Sequence, residues 1–93
     1  MVIGLLTVEL YLPQVRSLKG KRQIIKSMIA KIRNKFNVSI SETDNNDLWQ
    51  RASISCCIVT NDSGFANQVM ERVVSLIERE LNGEILDYKT QIL

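Results

Sequence analysis

Two segments of the chain place hydrophobic residues at every second position, which is the period of a β-strand with one buried face. The first is residues 2–12, which Pro13 ends. The second is residues 51–60, whose apolar face consists of Ala52, Ile54, Cys56 and Ile58. Two further strands are expected, a short β-rich run over residues 37–43, which the turn-like sequence DNNDLW follows, and a last strand from Glu84 onward.

Two other segments repeat their hydrophobic residues at helical spacing. Ser17 is a suitable N-cap for a first helix over about residues 18–36. Asp62 or Ser63 can cap a second helix, and we expect the Asn-Gly pair at 82–83 to end it through a left-handed C-cap. The apolar stripe of the first helix is Ile25, Met28, Ile29, Ile32 and Phe36. The stripe of the second is Ala66, Val69, Met70, Val73, Ile77 and Leu81.

The resulting element order is β-α-β-β-α-β. Each helix has one apolar stripe, so both helices can cover the same face of a four-stranded antiparallel sheet. This arrangement is the ferredoxin-like sandwich of the α+β class, and its right-handed crossovers place the first and third strands in the centre. We expect one such domain over residues 1–93.

Composition narrows the classes of function that this fold can have. The chain has no histidine, the commonest general base and metal ligand. Its two cysteines, Cys56 and Cys57, are adjacent and therefore unsuited to pairing with each other. Apolar runs are too short for a membrane span, and the N-terminus lacks the features of a signal peptide. We therefore expect a cytoplasmic protein with reduced thiols, no cofactor and no membrane contact.

Charge is distributed very unevenly along the chain, although the net charge is only +2. Residues 10–41 hold eight of the twelve basic residues and none of the ten acids. Within this segment, four cations fall at spacings of three, four and seven residues along one flank of the first helix. A fifth, Lys21, lies close to the apolar face, and we expect it to reach out to solvent at the helix start. The candidate nucleic-acid-binding residues are Lys19, Lys21, Arg22, Lys26 and Arg33.

This basic flank has a functional and a structural interpretation. Cations beside the free N–H groups of a helix start suit phosphate, and a stripe of them suits a nucleic-acid backbone. Structured RNA is the favoured ligand for a small cytoplasmic domain, and the charges also suit DNA or a small phosphorylated ligand. The alternatives are a solvated helix face without a ligand, and a protein-interaction module that docks an acidic partner. A solvated face normally mixes Glu with Lys at i, i+4, and this helix contains no acid.

The binding and catalytic sites of other proteins with this fold do not match the residues of this chain. An RNA-recognition motif would need aromatic residues on the open face of the central strands, where only Tyr11 is available. The loop PQVRS has neither the cysteines of a metal chaperone nor the glycines of an acylphosphatase-like phosphate cradle. No histidine-based triad or P-loop can be built. We therefore predict a protein that is not an enzyme.

Three further expectations concern the open sheet face and its neighbouring loop. We expect Glu42 to pair with Arg51 across the second and third strands. We interpret Trp49 as a partly buried anchor, with a stacking platform as the alternative. An apolar patch is expected on the open face, where it would support a homodimer. The patch consists of Ile3, Leu5, Cys57 and Val59.

The segments SLKGKRQIIK, KFNVSISE and DLWQRASI together resemble the YlxP-like family, small bacterial proteins classed as a domain of unknown function. The resemblance covers nearly the whole chain. It implies the ferredoxin-like fold and no established catalytic activity. Genes of the family commonly lie among those for translation and ribosome maturation, which implies a role near ribosomal RNA. The motif positions are Ser17, Leu18, Lys19, Lys21, Arg22, Phe36, Asn37, Val38, Ser39, Glu42, Trp49, Gln50, Arg51 and Ala52.

Overall fold

A computed structural model describes residues 1–93 and contains six elements in the predicted order. The elements are β1 (Val2–Tyr11), α1 (Leu18–Lys35), β2 (Ser39–Asp44), β3 (Arg51–Thr60), α2 (Ser63–Glu80) and β4 (Glu84–Ile92). Ser17 caps α1 as predicted, because its Oγ accepts a hydrogen bond from the Gly20 N–H at 3.0 Å. Asp62 caps α2 in the same way through the Gly64 N–H.

The four strands form one antiparallel sheet in the order β2-β3-β1-β4. The predicted central position of the first and third strands is confirmed, with β1 and β3 paired from Val2–Thr60 to Tyr11–Arg51. Edge strand β2 has a register irregularity between Glu42 and Asp44, close to the β2–β3 loop. Glu42, at this irregularity, lies 2.9 Å from the ammonium of Lys21 in the first turn of α1.

Alternate residues of β1 and β3 pack with the apolar stripes of both helices in one hydrophobic core. The predicted buried face of β3, Ala52 to Ile58, is confirmed, and each of its four residues is at most 5% exposed. Both helices therefore lie on the same side of the sheet, and the other face stays open. Neither helix combines the length and the apolarity that a bilayer crossing requires.

Helix α2 ends differently from the prediction. Leu81 takes an extended conformation with φ −82° and ψ 125°, and its N–H bonds to the Ile77 carbonyl. No glycine has a positive φ, so the expected left-handed C-cap at Asn82-Gly83 is wrong. Gly83 is instead required by close approach, since a Cβ there would lie 2.6 Å from the Tyr11 carbonyl oxygen.

Candidate nucleic-acid interface

A groove of about 430 Å³ runs between α1 and the edge strand β2. Three of the predicted site residues line it: Arg22, Lys26 and Arg33. Its remaining lining is mostly small or apolar and consists of Ile25, Ile29, Ala30, Ile40, Ser41 and Glu42. The structure thus brings the cations together on one wall of a concave surface, which the helical spacing alone did not show.

The groove cations differ in how firmly they are held. Arg33 donates a hydrogen bond from Nη2 to the Ile40 carbonyl at 3.0 Å and so covers part of the exposed edge of β2. Arg22 and Lys26 are exposed. Lys19 is also exposed and lies outside the groove, three residues before Arg22 and therefore on a neighbouring part of the helix surface.

No carboxylate neutralises these four cations. The structure contains two ion pairs, Lys21–Glu42 and Lys31–Glu80, and neither includes a residue of the basic flank. On the opposite flank, the Lys31 ammonium donates to Glu80 at 3.0 Å, and this hydrogen bond lowers the pKa of the Glu80 carboxyl. One cation of the opposite flank is therefore paired, whereas none on the groove side has a carboxylate partner.

Lys21 is fully buried, and the prediction that it reaches solvent is wrong. Its Nζ donates to the carbonyl oxygens of Asn45 at 2.8 Å, Asn46 at 3.3 Å and Arg51 at 3.1 Å. Lys21 therefore cannot contact RNA directly, although it was one of the five candidate binding residues. Burial follows because the β2–β3 loop folds over the start of α1. The loop and the first residue of β3 together supply three backbone acceptors to a three-proton donor.

The carboxylate of Glu42 lies 2.9 Å from the same ammonium. Its Oε2 accepts no hydrogen bond, because the three ammonium protons are directed at the carbonyls. The expected Glu42–Arg51 pair is wrong. Glu42 is opposite Ile54 on the helix-covered face, whereas Arg51 is opposite Tyr11 on the open face.

Further hydrogen bonds hold the β2–β3 loop to the sheet and to the segment before α1. Asn45, the one non-glycine residue with a positive φ (60°), donates from Nδ2 to the Ser53 hydroxyl at 2.8 Å. The Gln50 side chain donates to the carbonyls of Pro13 at 3.0 Å and Val15 at 3.3 Å. The loop is thereby held to α1, to the sheet and to the β1–α1 connection.

Trp49 projects from this fastened loop with 53% of its surface exposed, and its neighbour Leu48 is 49% exposed. With more than half of its surface exposed, Trp49 fits the platform better than the expected partly buried anchor. No local pattern predicts this exposure, since a tryptophan in a polar loop packs inward or outward depending on how the loop is tethered. The alternative interpretation, an exposed aromatic platform, fits the observed exposure.

The open sheet face carries the predicted apolar patch. Ile3 is directly opposite Val59, and Leu5 is directly opposite Cys57. Val59 is 66% exposed, and the other three are partly buried. The adjacent Cys56 points into the core, where burial and, to a smaller extent, Cys57 raise the pKa of its thiol to about 11. Cys56 consequently stays protonated at neutral pH and is a poor nucleophile.

Comparisons with solved structures agree with the observed topology. A de novo designed protein with a ferredoxin fold superposes with a TM-score of 0.58, at 9% sequence identity over 98% of this chain and 85% of that one. The structural-genomics protein YJCS superposes with a TM-score of 0.53, at 8% identity over 96% of each chain. At such low identity these similarities show the fold alone, which is the predicted ferredoxin-like sandwich.

Sequence comparisons identify the family of the chain. The model of a family described as "Protein of unknown function (DUF503)" matches residues 3–90. The "Uncharacterized protein YlxP" of Bacillus subtilis (strain 168) is 35% identical over 77 residues, which are 83% of this chain and 84% of the relative. The resemblance carried by the SLKGKRQIIK, KFNVSISE and DLWQRASI segments is thus confirmed, and the chain belongs to the DUF503 family of bacterial proteins of unknown function.

Proposed function

We propose that this protein binds RNA through the α1–β2 groove and serves translation or ribosome assembly as a non-enzymatic accessory factor. The observation that carries the proposal is the groove wall formed by Arg22, Lys26 and Arg33, none of which has a carboxylate partner. Uncompensated cations along a concave surface attract a polyanion, and repulsion among them is relieved when phosphates bind. The place in translation rests on the genomic setting that the family resemblance implies.

Binding is favoured over catalysis by the chemistry of the groove. Its polar groups are cations, a serine hydroxyl and one carboxylate, and that carboxylate, Glu42, is held by the Lys21 ammonium. Cations of this kind position phosphates and carry affinity, but they supply no base to remove a proton. The buried Cys56 thiol, with a pKa raised to about 11, lies in the core and not in the groove.

The salt dependence of RNA binding tests this function. Three or four phosphate contacts predict that log K falls with log salt at a slope of about −2 to −3 for single-stranded RNA. Affinity should therefore drop roughly 15- to 60-fold between about 50 and 200 mM salt. Fluorescence anisotropy of a labelled oligoribonucleotide measures the slope. Absence of binding at low salt, or affinity that does not respond to salt, would contradict the proposal.

A second candidate function is protein interaction through the open sheet, and the exposed patch around Val59 favours it. The occupant that this patch suits is a second copy of the chain, because two such faces pair apolar surface with apolar surface and leave the basic groove outward. An acidic partner protein would instead dock on the groove. In that case it would compete with RNA for Arg22 and Lys26, and it would stay bound after nuclease treatment.

Self-association through the open sheet face predicts that a charged substitution in the apolar patch disrupts the dimer. We expect Val59→Lys to convert a concentration-dependent dimer into a monomer in sedimentation velocity, because the ammonium would be buried without a partner in the dimer. Gln68→Lys adds the same charge on an exposed position of α2 and should leave the dimer intact. A wild-type protein that stays monomeric at every concentration would refute this second function.

A further inference from the structure

We propose that Trp49 stacks on a base of single-stranded RNA whose phosphates occupy the α1–β2 groove. This inference rests on the proposed function and adds the class of RNA and the residue that recognises a base. Trp49 is the single tryptophan of the chain and is 53% exposed. Indole rings are effective platforms for nucleobases, because each base has a π-face that stacks regardless of its identity.

The platform lies beside the end of the groove. The Lys21 ammonium contacts both Glu42, a lining residue of the groove, and the backbone of Asn45 and Asn46. Trp49 follows Asn46 by three residues, so its Cα lies within about 11 Å of the Asn46 Cα even if the chain were fully extended. One RNA strand can therefore reach from the groove to the indole within a few nucleotides.

The backbone on both sides of Trp49 is fixed before any ligand arrives. On one side, Lys21 holds the carbonyls of Asn45 and Asn46, and the Leu48 N–H bonds to the Asn45 carbonyl at 3.1 Å. On the other, the Gln50 carbonyl accepts from the Leu12 N–H at 2.8 Å. An aromatic side chain on a fixed loop loses little conformational freedom when it binds, which favours affinity.

Unpaired arginines near the platform suit a nucleic acid better than an apolar protein pocket. Arg51 is exposed two residues after Trp49, and the exposed Arg16 follows Val15, whose carbonyl accepts a hydrogen bond from the Gln50 side chain. Neither arginine is in an ion pair, and each can contact a phosphate or stack on a base. Asp44 and Asp47 are the exposed acids nearest the platform and balance these two arginines, so the net positive charge comes from the groove cations.

The experiment uses the intact protein and an oligouridylate of about twelve nucleotides. Because the chain has one tryptophan, fluorescence excited at a wavelength that tyrosine does not absorb reports on Trp49 alone. Stacking on a base should quench this fluorescence during the titration. A labelled copy of the same oligonucleotide gives the affinity by anisotropy. A duplex of equal length offers no unstacked base, so it should leave the emission of Trp49 unchanged.

Three variants separate stacking from a structural role. Trp49→Ala should weaken binding of the oligouridylate about 5- to 150-fold, the range found for loss of one base–aromatic stack. Trp49→Phe, which keeps an aromatic face, should stay within about threefold of the wild type. Leu48→Ala removes the neighbouring and equally exposed apolar side chain, and it should also stay within about threefold.

Each outcome bears on a specific claim. RNA binding that is sensitive to salt but unchanged in Trp49→Ala, with no quenching, would overturn the stacking inference and leave the proposed function standing. Equal losses in Leu48→Ala and Trp49→Ala would indicate that the apolar loop surface in general, and not stacking on the indole, contributes the affinity, and would also overturn it. If the wild-type protein binds no RNA at low salt, the proposed function and this inference fall together.

Discussion

Lys21→Met should destabilise the protein by about 3–5 kcal/mol, the usual cost of removing one partner from a buried ion pair. Methionine has a similar length and flexibility, so the change removes the charge and the three donors more than it removes volume. It leaves the Glu42 carboxylate without its cation and three carbonyls, of Asn45, Asn46 and Arg51, without a donor. Urea denaturation followed by circular dichroism measures the loss.

Two further variants show whether this loss comes from the buried pair. Lys19→Met makes the same chemical change at an exposed position of the same helix turn, and it should stay within about 0.5 kcal/mol of the wild type. Glu42→Gln in the Lys21→Met background should recover part of the loss, because a neutral amide needs no counter-ion. A Lys21→Met protein as stable as Lys19→Met would show that the buried network contributes nothing measurable.

The burial of Lys21 also explains part of the basic sequence at the start of α1. Its motif neighbours Lys19 and Arg22 face solvent, whereas Lys21 faces inward and holds the loop that carries Trp49. One cation of the group therefore has a structural task, and the others remain free for a ligand. A helix start rich in cations is destabilised by its own dipole, and the three carbonyls and Glu42 offset that effect at Lys21.

The fold could be predicted from the sequence because its signals are periodic and local. Alternation in residues 2–12 and 51–60, together with two helical stripes, determines the element types, and the right-handed crossover rule then determines the strand order. The end of α2 was predicted wrongly for a local reason as well. Asn-Gly is a common left-handed stop, but here Gly83 is needed for its close approach to the Tyr11 carbonyl.

The candidate site was predictable only in part. The wrong predictions concern residues whose positions depend on contacts with segments distant along the chain. The helical wheel placed Lys21 near the apolar face, yet its burial depends on a loop 24 to 30 residues away. The face of Glu42 and the exposure of Trp49 depend on the register of β2 and on the tethering of that loop. Periodicity within one element contains no information about such contacts.

Arg22→Glu/Lys26→Glu should weaken RNA binding about 100-fold or more. Each reversal removes a charge-assisted phosphate contact worth about 1.5–3 kcal/mol and adds a repulsive charge to the groove. The salt slope should also become shallower by about 1.4 units, since two phosphates of a single strand are no longer neutralised. Both residues are exposed, so the variant should keep its fold. Arg33 is left unchanged because its hydrogen bond to Ile40 holds the edge of β2.

The control for this prediction is a pair of arginines on the other helix. Arg72→Glu/Arg79→Glu changes the net charge by the same amount at exposed positions of α2, outside the groove. If long-range attraction alone drives binding, both double variants should lose affinity equally, because the net charge of the protein would then decide the outcome. If phosphates lie in the groove, the α2 variant should bind within about threefold of the wild type and keep its salt slope. Equal losses would therefore exclude the α1–β2 groove as the RNA site, even if the protein binds RNA.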